Sequence, residues 1–595
     1  MNILGISYSH EASACIFIND CLTAAAAEER FTRLKMEMGY PKNAIRFCLE
    51  FAGIDANDLD LVVIASENDP PDQYITNRIS TFSVDDFIRE QNEYWKPKHF
   101  EGKDVDYLSV FSDKIKMRSY DLSIFLKEKM SLADRIKKFR EIRINTIAQD
   151  LNINKSKIIH VNHEKSHAFY GLYANPVKDK TLVFTCEGWG DYSNGTVSIY
   201  ENNSLKELSY TSQNRLGHLY KFITLLLGMK PSQHEYKVMG LAPYANTKEV
   251  DKAYRVFKDL FMIDGLNVGI KKSPDDFYFW FRKNLEGCRF DGIAGALQRV
   301  TEETMVEWVR HCCRKLDVSN VVISGGVSQN IKSCLLIGEL DEVENIYVAP
   351  SSGDGSLSIG ACYYILDCEY EKRGWDKRKI EPIRNIYLGP EYSSRHIDTA
   401  ISDYGLINKY KIIDNIDNEY VVDSLLKDKV IARFSGRMEF GQRALGNRSI
   451  IANPKNPRMI KKLNTVIKFR DFWMPFTPTI LAKFENDYII NPKHLQSSFM
   501  TLAFNTTEKF QDRAPAAIHP ADDTARPQIL KREHNASYYD LIKLFVEKTG
   551  TGAILNTSMN LHGEPMVCSP EDAIHTFLNS MIDILLFDHV LIARE

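Results

Sequence analysis

The sequence predicts an α/β protein of two domains, the first of them built on a repeated strand motif. Three observations carry this reading. The chain has 595 residues, too many for one hydrophobic core. Three short β-rich runs at the start recur in the same arrangement further along. A second region of mixed strand and helix patterning then follows a charged, poorly patterned stretch.

The first trio of runs is Asn2–Ser7, Ala12–Ile18 and Leu22–Ala26, parted by the turn-forming Ser9-His10-Glu11 and Asn19-Asp20. The second is Thr181–Cys186, Thr196–Tyr200 and Leu205–Tyr210, parted by Gly188–Gly195 and Glu201-Asn202-Asn203. Two such meanders imply an internal duplication. Between them, from about Glu67 to Leu151, apolar residues fall at helical spacing, as in Leu132–Phe139, and mark a helical insertion. An insertion of this kind is either a solvated cap or a wall of a substrate pocket. Two later segments each run a buried strand into a small-residue turn: Val321–Ser324 into Gly325-Gly326, and Ile346–Val348 into Pro350–Ser356. Such turns point backbone N–H groups at an anion, so Gly325 and Gly326 are candidate nucleotide contacts. The first domain is read as residues 1–370, a linker as 371–390, and the second α/β domain as 391–595.

Composition narrows the function classes. Hydrophobic residues are 44 % and charged residues 26 %, as in soluble globular proteins, and no apolar run reaches eighteen residues. The start, Met1–Ile6, reads as a strand rather than a secretory signal. Eleven scattered cysteines without a CxxC pair read as free thiols, so a cytoplasmic location is expected. A net charge of −4 argues against nucleic acid as the main partner, and no membrane partner is expected.

Two constellations carry chemistry. In His163-Glu164-Lys165-Ser166-His167 the histidines are four apart, and the apolar Ala168–Leu172 continues a helix on which both share a face. That spacing suits one metal ion, although core histidines also show it. Glu187 or Asp191, and Asp354, are the carboxylates that complete a site, and two imidazoles with carboxylates suit Fe(II), with zinc or manganese as alternatives. The second constellation is basic. Arg437, Arg443 and Arg448 lie among glycines in Gly436–Ser449, followed by Lys468, Arg470 and Arg526. Guanidinium forks match phosphate oxygens in pairs, and neighbouring glycines let a ligand approach closely. Asn556 and Asn560 offer amide donors and acceptors beside them.

Taken together these residues resemble the O-carbamoyltransferase family, which includes the nodulation-factor, cephamycin and aminoglycoside-antibiotic carbamoyltransferases. The resemblance spans nearly the whole chain: Leu4–Ile6 with His10–Ala14, Glu28–Arg33, His163–His167, Tyr236–Tyr244, Gly325-Gly326, Gly436–Ser449, Met474–Phe476 and Asn556–Pro565. It implies an actin-like (ASKHA) first domain that holds a metal and a YrdC-like second domain that makes carbamoyl-AMP. The implied reaction hydrolyses carbamoyl phosphate to carbamate, adenylates it with Mg-ATP, and passes the carbamoyl group to a hydroxyl of a small-molecule acceptor. An antibiotic, a sugar nucleotide or a cell-surface saccharide each fits as acceptor.

Residue by residue, the resemblance implies His163, His167 and Asp354 as metal ligands, with Glu187 where the family has an aspartate. It implies Arg437, Arg443, Arg448, Lys468, Arg470, Arg526, Asn556 and Asn560 as carbamoyl-phosphate and nucleotide contacts. His10 matches a histidine near the transfer site and is the candidate catalytic residue. Asp522-Asp523-Thr524 replaces the family's Asp-Gly-Thr, which puts that turn in question. An actin-like carbohydrate kinase is the competing reading, but it leaves the basic constellation without a task.

Overall fold

The computed structural model describes residues 1–594 except Ser119 and Lys178. Its contacts divide into two units: Met1–Thr32 with Met36–Ile383, and Arg384 onward with the tripeptide Arg33–Lys35. The architecture is mixed α/β.

The first unit carries two five-stranded sheets. One contains β1 (Ile3–Ser7), β2 (Ser13–Ile18), β3 (Cys21–Ala27), β4 (Leu61–Ala65) and β5 (Ile158–Val161), in the order β3-β2-β1-β4-β5. The other contains β6 (Thr181–Cys186), β7 (Gly195–Glu201), β8 (Ser204–Thr211), β11 (Asn320–Ser324) and β12 (Asn345–Val348), in the order β12-β11-β6-β7-β8. A separate hairpin joins β9 (Phe261–Asp264) to β10 (Asn267–Ile270). In each large sheet the first strand pairs antiparallel with the second and parallel with the fourth, and the outer pairs repeat those directions. The two sheets therefore share one topology. β1 and β6 are largely apolar and buried at every residue, as strands covered on both faces are.

Two helices pack at the heart of this unit. Helix His163–Ala174 starts at Asn162, whose side chain accepts from the Lys165 N–H at 2.9 Å. Helix Leu357–Arg373 crosses it at Gly360, where a β-carbon would stand 1.9 Å from the Ser166 carbonyl oxygen. Only glycine allows backbones to come that close. The insertion folds as short helical turns and the long helix Leu132–Asp150, whose Phe139 enters a core with Tyr8, Tyr74 and Tyr120.

The stretch read as a linker is packed rather than loose. Lys377 is buried and donates to Asp367 at 2.8 Å, while Ile380 and Ile383 are also buried. Further along the same stretch, the Gly389 N–H donates to the Met438 carbonyl and the Phe440 N–H to the Ile386 carbonyl, within the second unit. Its charged surface hid these contacts from a reading by pattern.

The second unit is built on an eight-stranded sheet. Its strands are β13 (Lys411–Asp414), β14 (Ile431–Phe434), β15 (Arg448–Ala452), β16 (Thr477–Leu481), β19 (Gln528–Leu530), β20 (Ala553–Ser558), β21 (Ile584–Leu586) and β22 (Val590–Ala593). The order is β13-β22-β21-β14-β15-β20-β16-β19, and β17 (Phe504–Asn505) pairs separately with β18 (Thr524–Ala525). Helix Ala536–Thr549 covers one face with Tyr538, Leu541, Ile542 and Phe545 against Ile431, Ile451 and Ile554.

Candidate metal and anion sites

In the first unit four residues from three separated stretches converge. The ligating atoms of His163, His167, Glu187 and Asp354 all lie within 4.8 Å of one another. His163 Nε2 is 2.6 Å from Glu187 Oε2 and 3.8 Å from Asp354 Oδ1; His167 Nε2 is 3.2 and 3.6 Å from the same two atoms. His167 and Glu187 are almost wholly buried. Burial works against a charged His163, but Glu187 and then Asp354 outweigh it and raise its pKa well above the usual value. Burial likewise opposes the charged Glu187, but His163 and His167 hold its carboxyl down to about 2.

Secondary structure sets this geometry. The helix carries both histidines one turn apart, Glu187 follows the end of β6, and Asp354 opens the turn after β12. The end of β1 clasps that turn: Ser7 Oγ donates to the Asp354 carbonyl at 3.2 Å, Ser9 Oγ to Asp354 Oδ2 at 2.9 Å, and Glu11 Oε2 accepts from the Gly355 N–H at 2.9 Å. His10, the candidate catalytic residue, reaches the same cluster, with Nδ1 3.2 Å from Asp354 Oδ2.

The set fits a divalent cation. Neither ring nitrogen of His167, nor Oε1 of Glu187, finds a well-formed hydrogen-bond partner among the described residues, although all are buried. Leaving such groups unmatched is costly unless something else meets them. Glu187 rather than Asp191 joins the cluster. Asp191 instead accepts from the backbone N–H groups of Glu67, Asn68 and His163 at 2.7–2.9 Å, holding the insertion's first residues against the histidine helix.

Gly325 and Gly326 stand at the end of β11. Gly325 has φ +90° and its N–H donates to the Ser352 carbonyl at 3.0 Å, so the two small-residue turns lie side by side. Ser328 Oγ and Ser352 Oγ are 2.6 Å apart across them. A β-carbon on Gly326 would meet only open space.

In the second unit the basic residues divide in two. Arg443, Arg470 and Arg526 share one region: burial first, then Arg443 and Arg470, push the Arg526 pKa well below its usual value. Lys468 lies there too, depressed by burial and next by Arg470. Its amine donates to Asn560 Oδ1 at 2.6 Å and to the Ser558 carbonyl. Asn560 thus positions Lys468, while its own Nδ2 donates to the Leu561 and Glu564 carbonyls. Asn556 donates to the Ala444 carbonyl and Thr479 Oγ1, both at 3.1 Å, leaving its buried Oδ1 without a partner among the described residues.

Arg448 is different. It is wholly buried, stacks 3.6 Å over the Phe434 ring, and donates to the carbonyls of Ser435, Gly436, Asn447 and Pro390. This corrects its reading as a ligand contact, because those carbonyls take both terminal nitrogens. Arg437 also spends donors on backbone, at the Leu388 and Gly389 carbonyls. Asp523, the residue expected to disturb the Asp522-Asp523-Thr524 turn, keeps it left-handed at φ +55°. Aspartate tolerates that conformation better than most residues, and Asp522 Oδ1 secures the turn by accepting from the Thr524 N–H and hydroxyl.

Sequence reasoning missed Ser66, which meets His163, and the residues linked to it in turn, Tyr8, Asp69 and Arg143. Ser66 Oγ is 2.7 Å from His163 Nδ1, and Tyr8 Oη donates to Asp69 Oδ2 at 2.9 Å. Burial, then Asp191, raises the Asp69 pKa to about 7. The sole sequence signal was Tyr8's position two residues before His10.

Comparison with known proteins places the chain. The carbamoyltransferase N-terminus model matches residues 2–363, and the carbamoyltransferase C-terminus model matches residues 422–594. The uncharacterized protein MJ1051 of Methanocaldococcus jannaschii is 30 % identical over 610 residues, covering 100 % of this chain and 99 % of its own. Nodulation protein NolNO of Sinorhizobium fredii is 26 % identical over 604 residues, covering 99 % of this chain and 80 % of its own. Among solved structures, T. kodakarensis HypF is similar at 12 % identity and TM-score 0.31, over 62 % of this chain and 48 % of that one. No helix among the described residues is long and apolar enough to cross a membrane. With both of its domain models matched in order, the chain belongs to the carbamoyltransferase family.

Proposed function

We propose that this protein is an ATP-dependent O-carbamoyltransferase in which the second unit makes carbamoyl-AMP and the first transfers its carbamoyl group to a hydroxyl of a small-molecule acceptor. In this reading the shared topology of the two sheets reflects a duplicated actin-like domain, and the second unit is YrdC-like. The observation that carries the proposal is the convergence of opposite-charge metal ligands in one unit and like-charge guanidiniums in the other. Each suits one half of the reaction.

In the second unit, Arg443, Arg470, Arg526 and Lys468 bind carbamoyl phosphate and the ATP phosphates. Bringing like charges together is unfavourable until a polyanion enters, so the cluster spends its repulsion on binding phosphate. Water cleaves carbamoyl phosphate there to carbamate and inorganic phosphate; the carbamate oxygen then attacks the α-phosphorus of Mg-ATP, the new O–P bond gives carbamoyl-AMP, and pyrophosphate leaves with the electron pair. The buried Oδ1 of Asn556 accepts from the carbamoyl amide.

In the first unit, His163, His167, Glu187 and Asp354 hold Fe(II), or zinc or manganese in its place. The bound cation supplies Lewis-acid stabilisation of charge developing on oxygen. The Gly325–Gly326 turn receives the adenylate phosphate on its open side at Gly326, the Gly325 N–H being held by the Ser352 carbonyl. His10, oriented by Asp354, takes the proton of the acceptor hydroxyl as its oxygen bonds to the carbamoyl carbon and AMP departs. The helical insertion adjoins the histidines and shapes which acceptor enters.

The test measures products from carbamoyl phosphate and ATP. Release of pyrophosphate supports the proposal. ADP as the sole nucleotide product, with a sugar supplied, would instead favour a kinase.

A further inference from the structure

Arg143 is the most anomalous side chain of the first unit. It is 0 % exposed, yet none of its three guanidinium nitrogens finds a hydrogen-bond partner among the described residues. Its guanidinium lies 4.0 Å over the Tyr8 ring and 4.7 Å over the Phe139 ring. A cation buried this way is costly, and stacking on two rings recovers only part of that cost. A packing role alone would be better served by an apolar side chain of similar volume.

What Arg143 touches leads to the metal cluster. Tyr8, also 0 % exposed, has a hydroxyl 3.1 Å from the Ser66 carbonyl and 2.9 Å from Asp69 Oδ2, its one proton shared between the two acceptors. Ser66 is a buried junction. Its N–H donates to the Val161 carbonyl at 2.9 Å, its carbonyl also receives His160 Nδ1 at 3.3 Å, and its hydroxyl meets His163 Nδ1 at 2.7 Å. Ser66 has φ +75°, a left-handed conformation that a serine holds only when its surroundings impose it. One turn before Arg143, Arg140 Nε donates to the Glu67 carbonyl at 2.6 Å. The insertion helix therefore reaches residues 66–67 by two routes, directly through Arg140 and by way of the Tyr8 ring through Arg143.

We infer that helix Leu132–Asp150 braces the metal site, with Arg143, Tyr8 and Ser66 as positioning residues that fix the ring of His163. For Nε2 of His163 to face the cluster with its lone pair, Nδ1 must carry the proton and donate to Ser66 Oγ. That hydroxyl stays in place only while the Ser66 backbone keeps its left-handed turn. The Tyr8 hydroxyl holds the turn, and the cation against its ring face fixes the ring plane and strengthens the hydroxyl as a donor. The inference rests on the proposed metal site and gives the insertion a task beyond acceptor choice.

The test is the affinity of the full chain for zinc, and anaerobically for Fe(II), in competition with a chromophoric chelator. Losing a hydrogen-bond partner of a ligating histidine typically costs about 10- to 100-fold in metal affinity, which is the range expected for Ser66→Ala. Tyr8→Phe and Arg143→Met should each weaken binding about tenfold by the same route, and Arg143→Lys, which keeps the cation, should recover most of it. The thermal midpoint of the metal-free Arg143→Met chain should hold or rise. Variants of Tyr8 and Arg143 that bind metal like the parent would overturn the brace. If Arg143→Met fails to fold, Tyr8→Phe, which removes one oxygen, decides alone. A parent chain that binds neither metal would defeat the proposed metal site itself, a result distinct from a bound metal that ignores the brace.

Discussion

The two charged clusters of this chain are built on opposite principles. In the first unit imidazoles and carboxylates sit within hydrogen-bonding range of each other, so the group is largely self-compensating. It still leaves Glu187 Oε1 and the His167 ring nitrogens without a well-aligned hydrogen bond among the described residues. In the second unit burial, and then the like charges of Arg443 and Arg470, depress Arg526. A mixed-sign set with unmatched donor atoms invites a cation, and a like-sign set invites an anion. Under the proposed function, each unit holds the charge pattern that its own reactant would complete.

That contrast is easiest to break at the histidines. His163→Ala removes an imidazole from the first cluster and changes no residue of the second. Acceptor carbamoylation should fall by about three orders of magnitude or more, the scale of losing a main electrostatic contributor, and metal content should drop with it. Pyrophosphate release from carbamoyl phosphate and ATP should stay near the parental rate. If both activities vanish from a folded His163→Ala chain, the two clusters do not divide the reaction as described.

The converse change is Arg443→Ala. Loss of one desolvated charge contact costs about 2–5 kcal/mol, or roughly 30-fold to several thousand-fold in pyrophosphate release. Elemental analysis should find the metal content unaltered. A loss of metal in this variant would blur the comparison at once.

Within the second unit, Arg448→Ala sharpens the distinction between ligand-facing and structural arginines. It strands several buried carbonyls and empties a large site, so a loss of about 3–5 kcal/mol in stability is expected. Denaturant unfolding would measure it. An unchanged midpoint with selectively weakened phosphate binding would return Arg448 to the ligand set.

The smallest effect concerns the turn at Asp523. Asp523→Gly relieves a left-handed backbone at the expense of a more flexible unfolded chain, and the two offset to within about 1 kcal/mol. Thermal unfolding should shift slightly and pyrophosphate release hardly at all. A large change in either would mean that the Asp523 side chain has a task of its own.

Much of this protein follows from its sequence alone. The strands of both meanders lie within a residue of where apolar runs and turn residues put them, because those signals act over a few neighbouring residues. The pairing of His163 with His167 follows from the helical repeat. What tertiary structure decided was the use made of groups whose type was already plain. Glu187 and Asp191 stand four residues apart after the same strand, yet one meets imidazoles while the other accepts three backbone N–H groups. Arg448 and Arg443 belong to one Gly-rich run, yet Arg448 is spent on carbonyls. Nothing in the periodicity of Leu132–Asp150 announced that Arg143 would lie against Tyr8. Local pattern reports which residues face inward. The role of a charged side chain depends on the donors and acceptors that distant segments bring to it, and those partners exist only once the chain has folded.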